Sequence, residues 1–388
     1  MSKRFSLLML LCFILGVCFV PVSSHHQTPG IEFSELKTDI RYAKGFTVEY
    51  FENCKVLKII RPWRKADKIF TYVLVERGKK APETIPDAQV IEVPVRNIAS
   101  VAATHLAYLG ELGLLNQLVA IGNAKYISNE SVHDAIEAGN VQEVGNGPDI
   151  NIEKLLAINP EVVTTFAMGK DTKDDYQQLM AKGMNTIIFS DYMEETPLGR
   201  AEWLKCMALI FNEEAKAEEL FSQIEKQYLD LKSKTDGVID RPSVLLGFEI
   251  NGKWNMPGGK SHQATYIADA GGSYLWKEDE SSGRIPLTFE VVLEKGVEAE
   301  YWFDQSLNWT EASHITDADP RYANIKAYED NRVFNNNASL GPDGGNLYNE
   351  TGIVHPDRIL ADLISILHPE ILPDHQLVYY RHLDITGN

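Results

Sequence analysis

Cysteine is scarce in this chain of 388 residues, with four in all. Cys12 and Cys18 fall near the N-terminus, and Cys54 and Cys206 are isolated from each other, so no CxxC metal or redox motif can form. Spacing alone does not show whether Cys54 and Cys206 come close enough to pair, and two buried free thiols are the simpler expectation. Catalytic signatures are missing as well: there is no GxSxG elbow, no HExxH and no Walker loop. Histidines occur singly apart from His25-His26 and the spread positions His368, His375 and His382, without ligand spacing on one helix face. A zinc site, or carriage of naked zinc or manganese, is therefore disfavoured. Positive charge is in deficit, 37 Lys and Arg against 55 Asp and Glu, for a net charge of −18. Such a body disfavours nucleic acid or anionic lipid as a partner through broad electrostatics.

Long apolar runs are equally rare. Phe5 to Val20 is free of charge, preceded by Lys3 and Arg4 and followed by Pro21-Val22-Ser23-Ser24. That order is the signature of a secretory signal, and the run is short for a permanent span of roughly twenty residues. Residues 1–24 are thus expected to be a cleaved signal and the mature chain to be periplasmic. Leu15-Gly16-Val17-Cys18 faintly resembles a lipoprotein box. Val17 suits it poorly, so lipid anchoring is disfavoured.

What is present is a change of period. Residues 31–95 read as a β-rich extension, with Phe46–Tyr50 and Val56–Ile60 flanking Glu52-Asn53 as a hairpin, and Ile69–Val75 and Val90–Val95 as further strands. Residues 96–196 alternate strand and helix. Leu106, Leu109 and Leu112 mark one helix face, Asn151 caps a helix with Glu153 in its first turn, and Pro160 stops it before a buried strand. Residues 197–236 carry almost no strand signal and read as linker helices, with Asn212 as a candidate cap. The alternation restarts over 237–388. Thr288 to Phe303 repeats the order of Asn151 to Phe166, so Glu153 and Glu290 occupy equivalent first-turn positions. Each alone is explained by a helix dipole; the pair suggests two related lobes. The fold class expected is α/β: two doubly wound α/β lobes joined by a long helix, with the extension packed on the first lobe.

In open α/β sheets ligands bind beyond the carboxyl ends of the strands. Those ends supply Thr104, His105, Lys125, Tyr126, Met168 and Tyr192 in the first half. In the second half the corresponding loops supply Trp254, Arg284, Trp309 and Tyr348. Indole and phenol rings with a few cations suit a bulky, partly anionic ligand. Each is equally a packing residue by type, but Trp254, in a Gly/Pro-rich loop, has little evident reason to be buried.

Asp149 to Val163, DINIEKLLAINPEVV, resembles a family signature in which a glycine turn leads to an N-x-E-x-[LI] helix and a P-[DE]-[LV]-V strand. Val93 to Leu112 resembles the family's first strand-loop-helix, and HPDRILADLISILHPEIL its closing helix. These are motifs of the periplasmic binding proteins for ferric siderophores, haem and vitamin B12, spanning roughly 95 to 370. The resemblance implies a non-catalytic carrier without a cofactor, holding a ferric siderophore or a corrinoid, or haem, between two lobes with limited hinge motion. It also implies an ABC permease and its ATPase as partners, with Glu153 and Glu290 docking permease arginines. Membrane contact would come only through the permease or a lipid anchor. His105 could ligate haem iron or bind a siderophore carboxylate, or simply begin its helix, which is the simpler expectation. A tetrapyrrole-metal enzyme of similar double α/β architecture is the alternative from another class. Such enzymes usually place a histidine-acid pair or cysteine ligands on the cleft, and neither is evident.

Overall fold

Alternating polar and apolar residues make Phe46–Tyr50 a strand with one face on a core, and in the computed structural model this segment is β1 (Phe46–Tyr50). The structure describes residues 37–82, 85–170, 174–250, 252–306 and 309–385. The signal expected at 1–24 lies outside the described residues. β1 pairs antiparallel with β2 (Cys54–Ile59), β2 with β3 (Phe70–Glu76), and β4 (Ala88–Val93) joins β3 in parallel. Phe46, Leu57, Ile59, Phe70, Tyr72 and Ile91 share one core with Leu106, Leu109, Ile187 and Trp203, so the extension is packed on the first lobe.

That lobe comprises β5 (Ile98–Ser100), α1 (Ala103–Glu111), β6 (Leu118–Ile121), α2 (Glu130–Glu137), β7 (Gln142–Glu143), α3 (Ile152–Ile158), β8 (Val162–Thr165), α4 (Tyr176–Ala181) and β9 (Thr186–Ile188). The sheet is parallel with strand order β7-β6-β5-β8-β9. The order reverses beside β5, which makes the gap between β5 and β8 the switch point at which a crevice opens. In α3 the Asn151 side chain accepts from the Lys154 amide at 2.9 Å.

Three helices follow, α5 (Pro197–Ala201), α6 (Trp203–Phe211) and α7 (Glu214–Ser233). Here the structure differs from the sequence expectation, because Asn212 does not cap α7. It ends α6 in the left-handed region at φ 58°, and its side-chain oxygen is taken by the Lys55 ammonium at 2.8 Å.

The second lobe holds β10 (Ser243–Leu246), β11 (Glu249–Ile250), β12 (Lys253–Pro257), α8 (His262–Asp269), β13 (Ser273–Tyr274), β14 (Arg284–Leu287), α9 (Phe289–Gly296) and β15 (Tyr301–Asp304). It continues with α10 (Ser313–Ala318), α11 (Lys326–Glu329), β16 (Val333–Asn335), α12 (Thr351–Val354), α13 (Pro356–Leu367) and β17 (Arg381–His382). Its main sheet runs β13-β10-β15-β16-β17, parallel but for β17, and β11-β12-β14 form a separate antiparallel ribbon. A second core around Trp254, Trp302, Tyr322 and Leu363 belongs to this lobe, and α7 packs against α13. Cys54 and Cys206 are both free and buried, and burial raises both thiol pKa values.

Candidate functional site

A cavity of about 330 Å3 opens at the carboxyl ends of the first lobe's strands. Ser100 ends β5, Gly122 follows β6, Phe166 follows β8, and Asp191 and Tyr192 follow β9; all line it. Ala102, Ala103 and Thr104 bring the start of α1 to the same wall, and α1 begins without a capping side chain. A helix start of this kind presents amide N–H groups and the positive end of its dipole. Apolar lining from Val101, Leu106, Ile127 and Met168 surrounds these donors.

Arg200, on α5, supplies the cation. Its Nη2 lies 3.5 Å from Asp191 Oδ2 and its Nη1 donates to His262 Nε2 at 3.0 Å. Its Nε is buried without a hydrogen-bond partner among the described residues. Because His262 accepts from a guanidinium, its ring is neutral. Burial first, then Arg200 and Arg284, hold its pKa well below the usual histidine value. Burial also lifts the Asp191 pKa, against the pull of Arg200. An unmet buried donor is costly, so an acceptor group of a ligand would gain at this position.

The two lobes touch beside the cavity. The Ser128 amide donates to Glu350 Oε2 at 2.6 Å, and His355 Nε2 lies 2.7 Å from Glu111 Oε1. The His355 hydrogen bond lowers the Glu111 pKa. α12 packs against both α1 and α5, Gly341 and Gly345 lie against Ile127 and Ser128, and His262 meets Arg200, so second-lobe residues stand next to the cavity's Ile127 and Arg200.

Of the residues expected at the site, Thr104, Tyr126, Met168 and Tyr192 all line this one cavity. Lys125 is exposed next to Tyr126 and does not line it. His105 is fully buried, 3.1 Å from Thr164 Oγ1 and tilted against Phe189. Burial drops its pKa to about 3, which keeps the ring neutral, and because it is buried and does not line the cavity it is a core group near the start of α1 and not a residue facing the cleft.

Trp254 needs correction. Its ring has no exposure, and its indole N–H donates to the Leu246 carbonyl at 2.9 Å. β12 turns it inward against Trp302 and Phe289. Trp309 is buried too, edge-on to Trp302 and Tyr322. Tyr348 is buried edge-on to Tyr379 and Tyr380, and its phenol feels both Arg200 and Arg284. Arg284 is exposed and reaches Gln305 at 3.4 Å. Arg200, Asp191 and His262 escaped the sequence reading. Asp191 precedes Tyr192, a residue already placed at a strand end, and that adjacency was the available signal.

Glu153 and Glu290 are both exposed in the first turns of α3 and α9. Glu290 lies 3.4 Å from Arg321. Among the described residues no group of three or more His, Cys, Asp or Glu could hold a metal ion, and no helix is long and apolar enough to cross a membrane.

A two-lobed α/β chain with its cavity at a strand-order switch defines a binding protein of the periplasmic type. The sequence profile described as periplasmic binding protein matches residues 98–339, and the chain belongs to that family, the substrate-binding proteins of ABC importers. It is 24% identical over 373 residues to an uncharacterised lipoprotein of Methanocaldococcus jannaschii, covering 90% of this chain and 86% of the relative. The periplasmic haem-binding protein RhuT of Roseiflexus aligns with a TM-score of 0.53 at 18% identity, over 71% of this chain and 99% of RhuT. The molybdate-binding MolA of Haemophilus influenzae aligns at 0.56 and 17% identity, over 73% of this chain and 89% of MolA. At these identities the structural likeness shows the shared fold alone.

Proposed function

We propose that this chain captures an iron chelate of the ferric-siderophore class outside the cytoplasm and delivers it to an ABC permease without chemical change. The observation that carries the reading is Arg200. A buried guanidinium N–H without a partner sits in an apolar cavity beside the uncapped start of α1, which suits an anionic group on a largely apolar ligand. The apolar lining by Val101, Leu106, Phe166 and Met168 favours a second reading, the same carrier with haem or a corrinoid as cargo. RhuT is a haem-binding protein and MolA a molybdate-binding one, so the family's architecture accepts different cargo. Glu153 and Glu290 would dock the permease. The Methanocaldococcus relative is named a lipoprotein, and a lipid at Cys18 would tether the carrier near its permease.

The test is retention of a chromophore. The protein is incubated with haemin, cobalamin or a ferric siderophore, desalted, and its visible spectrum recorded. We expect one band at about one chromophore per chain. Replacing Arg200 by Ala should weaken that binding by about tenfold or more, the usual worth of a hydrogen bond to a charged group. Retention of no band by the wild type would sink the reading.

A further inference from the structure

The family match begins at residue 98, which leaves the four-stranded extension without an assigned role. Its sheet is structural, but the loop between β2 and β3 does something else: it runs from the first lobe's cavity rim to the second lobe. At its start, the Pro62 carbonyl lies 3.5 Å from the Tyr192 hydroxyl, whose stronger bond is to the Ala167 carbonyl at 2.5 Å. Tyr192 lines the cavity, as does Met168, the residue after Ala167. Trp63 stacks on Tyr176 and meets Phe70 edge-on, with ring centroids 5.9 Å away in both cases. Its indole also covers Gly169, where a Cβ would come within 2.5 Å of the ring.

The next residue crosses the gap. The Arg64 guanidinium lies so close over Gly283 that a Cβ there would overlap it. Gly283 immediately precedes Arg284, on the second lobe. Arg61 meanwhile pairs with Glu195 at 3.5 Å, which ties the start of the loop to the segment before α5. Arg64 has no ion pair among the described residues, whereas Arg61 and Lys44 share Glu195. Arg64 is exposed and rests over Gly283 without an ion pair among the described residues, so its guanidinium is available to a negative partner.

We propose that the β2–β3 loop is a strap across one mouth of the cleft, and that Arg64 on it selects chelates bearing peripheral carboxylates. Arg64, Arg284 and Arg200 then present guanidinium groups from the extension, the second lobe and α5 to one anionic ligand, and Trp63 holds the strap in place. This rests on the carrier reading above and narrows it. Carboxylates occur on ferric carboxylate complexes and on the haem periphery alike, and the two sources are separate arms of the test.

Binding of ferric citrate, haemin and cyanocobalamin is titrated on the wild type, on Arg64→Gln and on Gly283→Ala. The last variant displaces the guanidinium without removing its charge, and both are checked for unchanged thermal unfolding. We expect the wild type to bind at least one of the two carboxylate-bearing probes. Arg64→Gln and Gly283→Ala should each weaken that binding by about tenfold. Ferric citrate alone, or haemin alone, would identify the source. Equal affinity in wild type and Arg64→Gln overturns the role of Arg64 and leaves the carrier reading intact. Binding of cyanocobalamin only overturns the carboxylate class and again leaves a carrier. Failure of the wild type to bind any of the three overturns the carboxylate selection, and failure to retain a ferric siderophore as well overturns the carrier reading.

Discussion

Lys55 has no exposed surface, and at that depth an ammonium survives only with partners. It donates to the Leu209 carbonyl at 3.0 Å, to Asn212 Oδ1 at 2.8 Å and to the Glu214 carboxylate. Burial lowers the Lys55 pKa and raises that of Glu214, the pair's attraction working against both shifts. These bonds tie β2 to the junction of α6 and α7. Lys55→Met would leave the Glu214 carboxyl and the end of α6 without their donor, at a cost of about 3–5 kcal/mol. Lys55→Met combined with Glu214→Leu should regain most of that, since an apolar pair of similar volume is often no worse than a buried ion pair. Urea unfolding of the single and double variants measures this. A single variant as stable as the wild type would contradict the account.

Residue by residue, part of the cavity lining is legible in the sequence. Thr104, Tyr126, Met168 and Tyr192 follow from one rule, that ligands sit at strand ends, and they share a cavity. Trp254 misled because a Gly/Pro-rich loop is usually exposed, whereas here β11, β12 and β14 form a ribbon that folds the indole onto the second core. Arg200 was invisible for a different reason. The segment from Pro197 reads as linker helix, and no sequence period shows that its first helix returns to the cavity.

At the scale of elements, the extension solves an edge problem. β9 ends the first lobe's sheet, and an edge strand presents unpaired amides and carbonyls. Gln89 on β4 answers two of them, donating to the Thr186 carbonyl at 3.2 Å and accepting from the Thr186 amide at 2.9 Å. The Tyr72 hydroxyl accepts from the Ile188 amide at 3.1 Å. Side chains of one sheet thus stand in for a missing strand of the other. Gln89→Leu and Tyr72→Phe should each cost about 1–3 kcal/mol by leaving buried backbone groups unmet. The local readout is amide hydrogen exchange, expected to quicken at Thr186 and Ile188 ahead of the sheet centre. Unchanged protection there would mean the extension is not an edge cap. The four strands of the extension and the buried strand β8 were readable from their apolar residues, as were α3 and α9 from their caps. The edge contacts were not, because a glutamine's partners lie 97 positions away in the chain.

For the whole molecule, the question is how an acidic carrier finds its permease. Glu153 and Glu290 stand in the first turns of α3 and α9, one on each lobe, in segments that repeat the same order of cap, acid and strand. Thr288 caps α9, its side chain accepting from the Val291 amide at 3.5 Å, as Asn151 caps α3. The helix starts set where both acids leave the backbone, and two charges on separate lobes would define an orientation as well as an attraction in the proposed docking. Glu290 keeps Arg321 at 3.4 Å while remaining 74% exposed. A contact so screened by water is weak, and in the proposed docking it would yield to a permease arginine. Both acids lie outside the cavity lining, so the proposed docking role can be tested apart from ligand capture. Glu153→Arg combined with Glu290→Arg should therefore abolish uptake through the cognate permease in vesicles, while ligand affinity stays at the wild-type value. Each single variant should slow uptake less and make it more sensitive to salt, because the remaining acid still steers encounter but no longer fixes orientation. Loss of ligand affinity in the double variant would place these acids in the capture machinery, and undiminished uptake would remove them from docking altogether.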